Sequence, residues 1–175
     1  VSYYVRPDSA LDLEAKKRGN SVYFPDRVVP MLPEAISNNL CSLLPNEDRA
    51  AMIAEIYIDK DGKRLSYQIK RALIRSHARL TYDQVQAVFD GTMDETDCNV
   101  PHGILHSLFG AWRALDKDRK IREPLALNLM ERRVVINDVG NAIAISQRSQ
   151  TESQRLIEDF MITANVAAAD TLIAN

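Results

Sequence analysis

The apolar residues of this chain change spacing several times along its length, and each change marks an element. Two β-rich runs, Arg49–Ile58 and Lys63–Ile74, flank Asp59-Lys60-Asp61-Gly62. Runs of that kind on either side of an Asp-Gly turn predict a long hairpin. From about Pro101 to Arg122, Ile104, Leu105, Leu108, Phe109, Trp112 and Leu115 recur on one side of an amphipathic helix. Leu125–Leu129 and Arg132–Ile136 read as strands, and Asn137-Asp138-Val139-Gly140 turns the second of them into Ala142–Gln147. Between Ile157 and Ala169 only Glu158, Asp159, Thr163 and Asn165 are polar. A helix so apolar is expected to be buried on nearly every side.

Local signals set the ends of these elements. Ser9 suits the N-cap of a helix over Ala10–Arg18, with Asp12 in its first turn, Lys16, Lys17 and Arg18 in its last, and Gly19 beyond. Thr81-Tyr82-Asp83-Gln84 and Thr151-Glu152-Ser153-Gln154 are capping boxes. The first puts Tyr82 at the opening position of a helix that runs to Gly91. Thr92–Asn99 is polar and acidic and predicts a surface loop. The opening VSYYV reads as a strand already under way, and the last helix stops without a clear closing signal, so the chain is expected to be part of a longer one. The fold class that follows is α+β, with hairpins near 49–75 and 132–147 and helices near 9–18, 81–90, 101–122 and 151–172.

One stretch fits neither pattern. Arg18–Leu43 holds Pro25, Pro30 and Pro33, which exclude a long helix or a central strand. It is nonetheless as apolar as a core, so it is expected to bury itself and to satisfy its backbone locally. Pro33 suits the first position of a short helix near Glu34–Asn39. Arg18, Tyr23, Asp26 and Arg27 bring aromatic and charged groups close together there.

Composition narrows the chemistry less than the pattern does. Lys and Arg total 22 against 24 Asp and Glu. No global positive field marks a nucleic-acid binder, although one basic groove fits inside a near-neutral average. Lys63, Arg64, Lys70, Arg71 and Arg75 on the predicted hairpin are either a solvated face or phosphate contacts. Cys41 and Cys98 offer no disulfide framework and no zinc signature. His102 and His106 stand four apart without a carboxylate or cysteine at ligand spacing, which argues against a metal site. No apolar run reaches a membrane span, and no signal peptide opens the chain, so the location expected is the cytoplasm. Glu158, on the apolar helix, must be paired, hydrogen-bonded or turned toward a polar ligand. A buried ion pair with Arg18 or Arg27 and a ligand contact are equally open.

RGNSVYFPDRVVPMLP followed by SNNLCSL, then Ala78–Val85 (ARLTYDQV) and Leu156–Ala169 (LIEDFMITANVAAA), resembles the catalytic RNB domain of the ribonuclease II and ribonuclease R family, and more closely its ribonuclease R side. The three blocks fall in the right order and cover nearly the whole chain apart from a divergent middle. The resemblance implies a hydrolytic 3′-to-5′ exoribonuclease that degrades single-stranded RNA to nucleoside 5′-monophosphates with Mg2+. By the same resemblance Tyr23 matches the aromatic that stacks on RNA in the catalytic channel. Tyr82 and Glu158 match the tyrosine and glutamate that contact the 3′-terminal nucleotides and select ribose.

The family's DxxxxxDxDD-type aspartate cluster, its basic motif with the catalytic arginine, and its S1 RNA-binding domain have no counterparts within these 175 residues. The expectation is therefore a central portion, residues 1–175, of a single RNB-like catalytic domain, with RNA-channel residues but no catalytic or metal residues of its own. Alone, this portion is expected to be inactive. The other reading is a non-catalytic RNA-binding or interaction module derived from such a domain. Leu127 falls near where some relatives place a second stacking phenylalanine.

Overall fold

A computed structural model describes residues 1–121, 131–137, 142–148 and 150–174. Their contacts group into two units. The first comprises Val1–Leu44 and Leu129–Ser149, the second Pro45–Asn128 and Gln150–Asn175.

In the first unit, helix α1 spans Ala10–Arg18. Ser9 caps it by accepting the N–H of Asp12, and Gly19, at φ 77°, closes it on the carbonyl of Ala15. The prolines then confine regular structure to two-residue strands, β1 (Val22–Tyr23) and β2 (Val28–Val29), paired antiparallel with Tyr23 opposite Val28. A single wide, π-type helical turn, Ala35–Leu40, follows Pro33. Strands β5 (Glu131–Ile136) and β6 (Ala142–Arg148) form the hairpin expected near 132–147. The expected strand at Leu125–Leu129 and the Leu127 position lie outside the described residues, as does most of the Asn137–Gly140 turn.

Two expectations for this unit are corrected. VSYYV is not a strand: the N–H groups of Tyr4 and Val5 both donate to the carbonyl of Val1, which bends the run into a turn. Nor is the proline-rich stretch buried. Ile36 is, but Val22, Tyr23, Phe24, Val28, Val29 and Leu43 are exposed. Its backbone is satisfied locally, as expected, by Phe24 N–H to the Arg27 carbonyl, Met31 N–H to Ser21 Oγ, and Arg18 Nη1 to the Pro30 carbonyl.

The second unit holds the core. Strands β3 (Asp48–Ile58) and β4 (Arg64–Arg75) form the long hairpin, with a register shift beside the turn. Asp59 Oδ1 accepts the N–H groups of Asp61 and Lys63, and Gly62 takes φ 84°. This tip packs so closely on helix α3 (Ile104–Ile121) that a Cβ at Gly62 would lie 2.0 Å from the carbonyl oxygen of Ala114. Lys117 on α3 bonds Asp61 in the tip, and Arg64 on β4 bonds Asp170 on helix α4 (Glu152–Ala174). Helix α2 (Tyr82–Phe89) starts at the capping box, where Thr81 accepts from Gln84 N–H and Gln84 accepts from Thr81 N–H.

Apolar side chains meet in two clusters. Val88, Cys98 and Leu105 pack with Leu80, Met93 and Val100. Phe109, Trp112 and Leu156 pack with Val85, Phe89 and Phe160, and the Phe89 and Phe109 rings stack at 4.0 Å. Helix α4 differs from the expectation of burial all round. Leu156, Asp159 and Ala167 are buried on one face, while Ile157, Met161, Ile162 and Val166 are exposed on the other. Helices α2 and α3 and the β3–β4 hairpin pack against α4 without enclosing it, so its apolar composition exceeds what they cover.

Candidate functional site

The stretch read as an acidic surface loop folds inward. Asp94 caps a short turn, Glu95–Cys98, by accepting the N–H of Thr96. Glu95 is only 3% exposed. Its carboxylate accepts the N–H groups of Gly103 and Leu105, so a residue well upstream caps the start of α3. Desolvation pushes this carboxyl up, but those two backbone donors and His106 outweigh it and hold Glu95 below the ordinary carboxylate range. Glu95 Oε2 lies 3.8 Å from His102 Nδ1 and 3.5 Å from His106 Nδ1. The carboxylate that the histidine pair lacks in sequence is thus supplied by the fold. Both of its oxygens already serve backbone donors. Among the described residues no group of three or more His, Cys, Asp or Glu is arranged to hold a metal ion. The Mg2+ that the resemblance implies finds no ligand set there.

Burial on α4 falls one residue away from where sequence reasoning looked for it. Asp159, not Glu158, is the enclosed carboxylate: its Oδ2 accepts the indole N–H of Trp112 at 2.9 Å, and Arg119 Nε approaches Oδ1 at 3.7 Å. Glu158 is half-buried, and its Oε2 accepts from Gln150 Nε2 at 2.7 Å. The two arginines named above as partners for a buried ion pair belong to the first unit and are engaged within it. Arg18 pairs with Glu14, and Arg27 pairs with Asp26 while lying over the Phe24 ring.

The first turns of α2 and α4 are fastened together by Ser153, which is 1% exposed. Its Oγ donates to the carbonyl of Tyr82, and its N–H donates to Gln86 Oε1, each at 3.0 Å. Tyr82 opens α2 and keeps 42% of its surface exposed. Tyr82 and Glu158 therefore sit within the first two turns of helices whose N-terminal ends touch. Ser153 is legible in sequence only as an interior member of a capping box, and nothing local shows that it reaches the other helix.

Tyr23 belongs to the other unit. It is 78% exposed on β1, and its side chain makes no hydrogen bond or ring contact among the described residues. The β3–β4 cations divide between the two readings given above. Lys70 pairs with Glu55, Arg75 with Asp48, and Arg64 with Asp170, which favours structural roles for these three. Lys63 and Arg71 have no such partner among the described residues. No helix among the described residues is long and apolar enough to cross a membrane.

A family model, RNB domain, matches residues 1–175. The chain is 43% identical over 170 residues to a Ribonuclease R of Vibrio parahaemolyticus, covering 97% of this chain and 20% of that protein. It is 41% identical over 172 residues to a Ribonuclease R of Escherichia coli, covering 97% and 21%. The chain thus spans about a fifth of the length of these curated relatives. Its fold is similar to that of Mycoplasma genitalium RNase R, solved in complex with ribose methylated single-stranded RNA. The TM-score is 0.90 at 31% identity, over 99% of this chain and 27% of that one.

Proposed function

This chain belongs to the RNB domain family, and from that premise we propose that it is the central portion of the catalytic domain of a cytoplasmic, hydrolytic 3′-to-5′ exoribonuclease. The complete protein degrades single-stranded RNA to nucleoside 5′-monophosphates with Mg2+. Residues 1–175 supply channel residues that hold and read the strand, and the metal is held elsewhere. The Ribonuclease R relatives and the RNA-bound neighbour support the reaction and the substrate. That the chain matches only about a fifth of those relatives supports its being a portion.

The observation that carries the reading is the Ser153 clamp between the first turns of α2 and α4. Helix N-termini favour the phosphates of a bound strand. From them Tyr82 offers a ring face and a phenolic donor, and Glu158 offers a carboxylate that accepts from a ribose 2′-hydroxyl. DNA leaves that acceptor unpaired. Tyr23 contributes an open aromatic face on which a base stacks.

In the complete protein, Glu158→Ala is expected to relax the preference for RNA over DNA more than it slows RNA cleavage, and Tyr82→Ala added to it to relax the preference further. Degradation of matched RNA and DNA oligonucleotides measures both. An unchanged RNA-to-DNA ratio in Glu158→Ala overturns the sugar-reading role. Residues 1–175 alone are expected to release no mononucleotides with millimolar Mg2+ or Mn2+; binding without hydrolysis in the complete protein would instead favour the non-catalytic module.

A further inference from the structure

Glu158 is anchored at one oxygen and, among the described residues, unpaired at the other. Its Oε2 accepts from Gln150 Nε2 at 2.7 Å, and Gln150 Oε1 in turn accepts from Arg155 Nε at 3.3 Å. Gln150 lies just before Thr151, where α4 is capped. These two bonds settle which way the Gln150 amide faces. A carboxylate only accepts and a guanidinium only donates, so the amide nitrogen must meet Glu158 and the amide oxygen Arg155. A flipped amide would set oxygen against carboxylate and nitrogen against guanidinium. Oε1 of Glu158 keeps no partner among the described residues and is the oxygen left to accept a hydroxyl.

We propose that Gln150 is a positioning residue for the sugar contact, holding the Glu158 carboxylate in one rotamer while Arg155 orients its amide. This rests on the role given to Glu158 above. Arg155 and Glu158 are three apart on one helix, a spacing at which such side chains pair directly. Gln150 stands between them instead. Removing it frees the guanidinium to take the carboxylate, which would occupy the open oxygen and turn it away from the ribose. Preorganisation of this kind acts through geometry, with the charge of Glu158 unchanged.

The test is equilibrium binding of matched RNA and DNA oligonucleotides to the complete protein, read by fluorescence anisotropy with EDTA present so that nothing is cleaved. Gln150→Ala is expected to lower the RNA-to-DNA affinity ratio by about three- to tenfold, mainly through weaker RNA binding. Gln150→Glu keeps the shape but loses the donor, and is expected to lower it at least as much. In a Glu158→Ala background neither change should move the ratio by more than about twofold, because the coupled partner is gone. If Glu158→Ala lowers the ratio while both Gln150 variants bind as the wild type does, the positioning role is wrong and the sugar-reading role stands. If Gln150→Ala acts equally in the Glu158→Ala background, Gln150 works independently and the proposal is also wrong. If Glu158→Ala itself leaves the ratio unchanged, the sugar-reading role fails and this inference falls with it.

Discussion

The indole N–H of Trp112 and the carboxylate of Asp159 meet inside the second unit at 2.9 Å, joining α3 to α4 in the middle of the aromatic cluster. Burying either group alone costs free energy, and together they satisfy each other. Trp112→Phe leaves one Asp159 oxygen with no near donor. It is expected to cost about 1–3 kcal/mol in chemical denaturation, from the orphaned acceptor alone. Asp159→Asn keeps an oxygen for the indole and should cost less. Equal costs for the two variants would show that the hydrogen bond is not the stabilising element.

Glu95 makes stability fall in acid. Its folded pKa lies below the ordinary value of 4.5, so it contributes stability above that value and loses it as pH falls through the lower folded value. Thermal midpoints measured from pH 6 to pH 3 should drop more steeply for the wild type than for Glu95→Gln, which has no charge to lose. At pH 7, Glu95→Ala should lower the midpoint by at least about 3 °C through the lost cap on α3. Parallel pH profiles for wild type and Glu95→Gln would contradict this.

Gly62 and Gly91 both have positive φ, and they separate strain from crowding. At Gly91, with φ 73°, an added Cβ meets nothing within 4 Å. Gly91→Ala should therefore cost only the backbone term, about 1 kcal/mol. At Gly62 the Cβ would run into the Ala114 carbonyl. Gly62→Ala should cost at least about twice as much and loosen the hairpin tip from α3. Urea midpoints of the two variants decide, and similar losses would mean that the tip adjusts freely.

Tyr23 is 78% exposed on a two-residue strand. Tyr23→Ala in the complete protein is expected to change the length of the limit product without altering the RNA-to-DNA ratio, since it removes a stacking face and no sugar contact. Gel analysis of the end products is the measurement. An unchanged limit product would remove Tyr23 from the RNA path.

The sequence by itself determined the features that depend on groups a few residues apart. The Thr81–Gln84 box, the Ser9 cap, the glycine after Arg18 and the Asp-Gly hairpin turn all form as read, because a cap or turn is closed by atoms within about four positions. The family, too, was legible, from three blocks in order. Only the tertiary structure decided which side of an element is covered and which distant donor a side chain finds. Glu95 looked like surface charge until Gly103 and Leu105 turned their N–H groups toward it. Asp159 rather than Glu158 is enclosed because α3 brings Trp112 to that side of α4, leaving Glu158 to Gln150. The clamp between α2 and α4 joins residues some seventy positions apart in the chain. Hydrophobic periodicity carries no information about such pairs: it shows that a face must be covered, while the packing of the other elements determines by what.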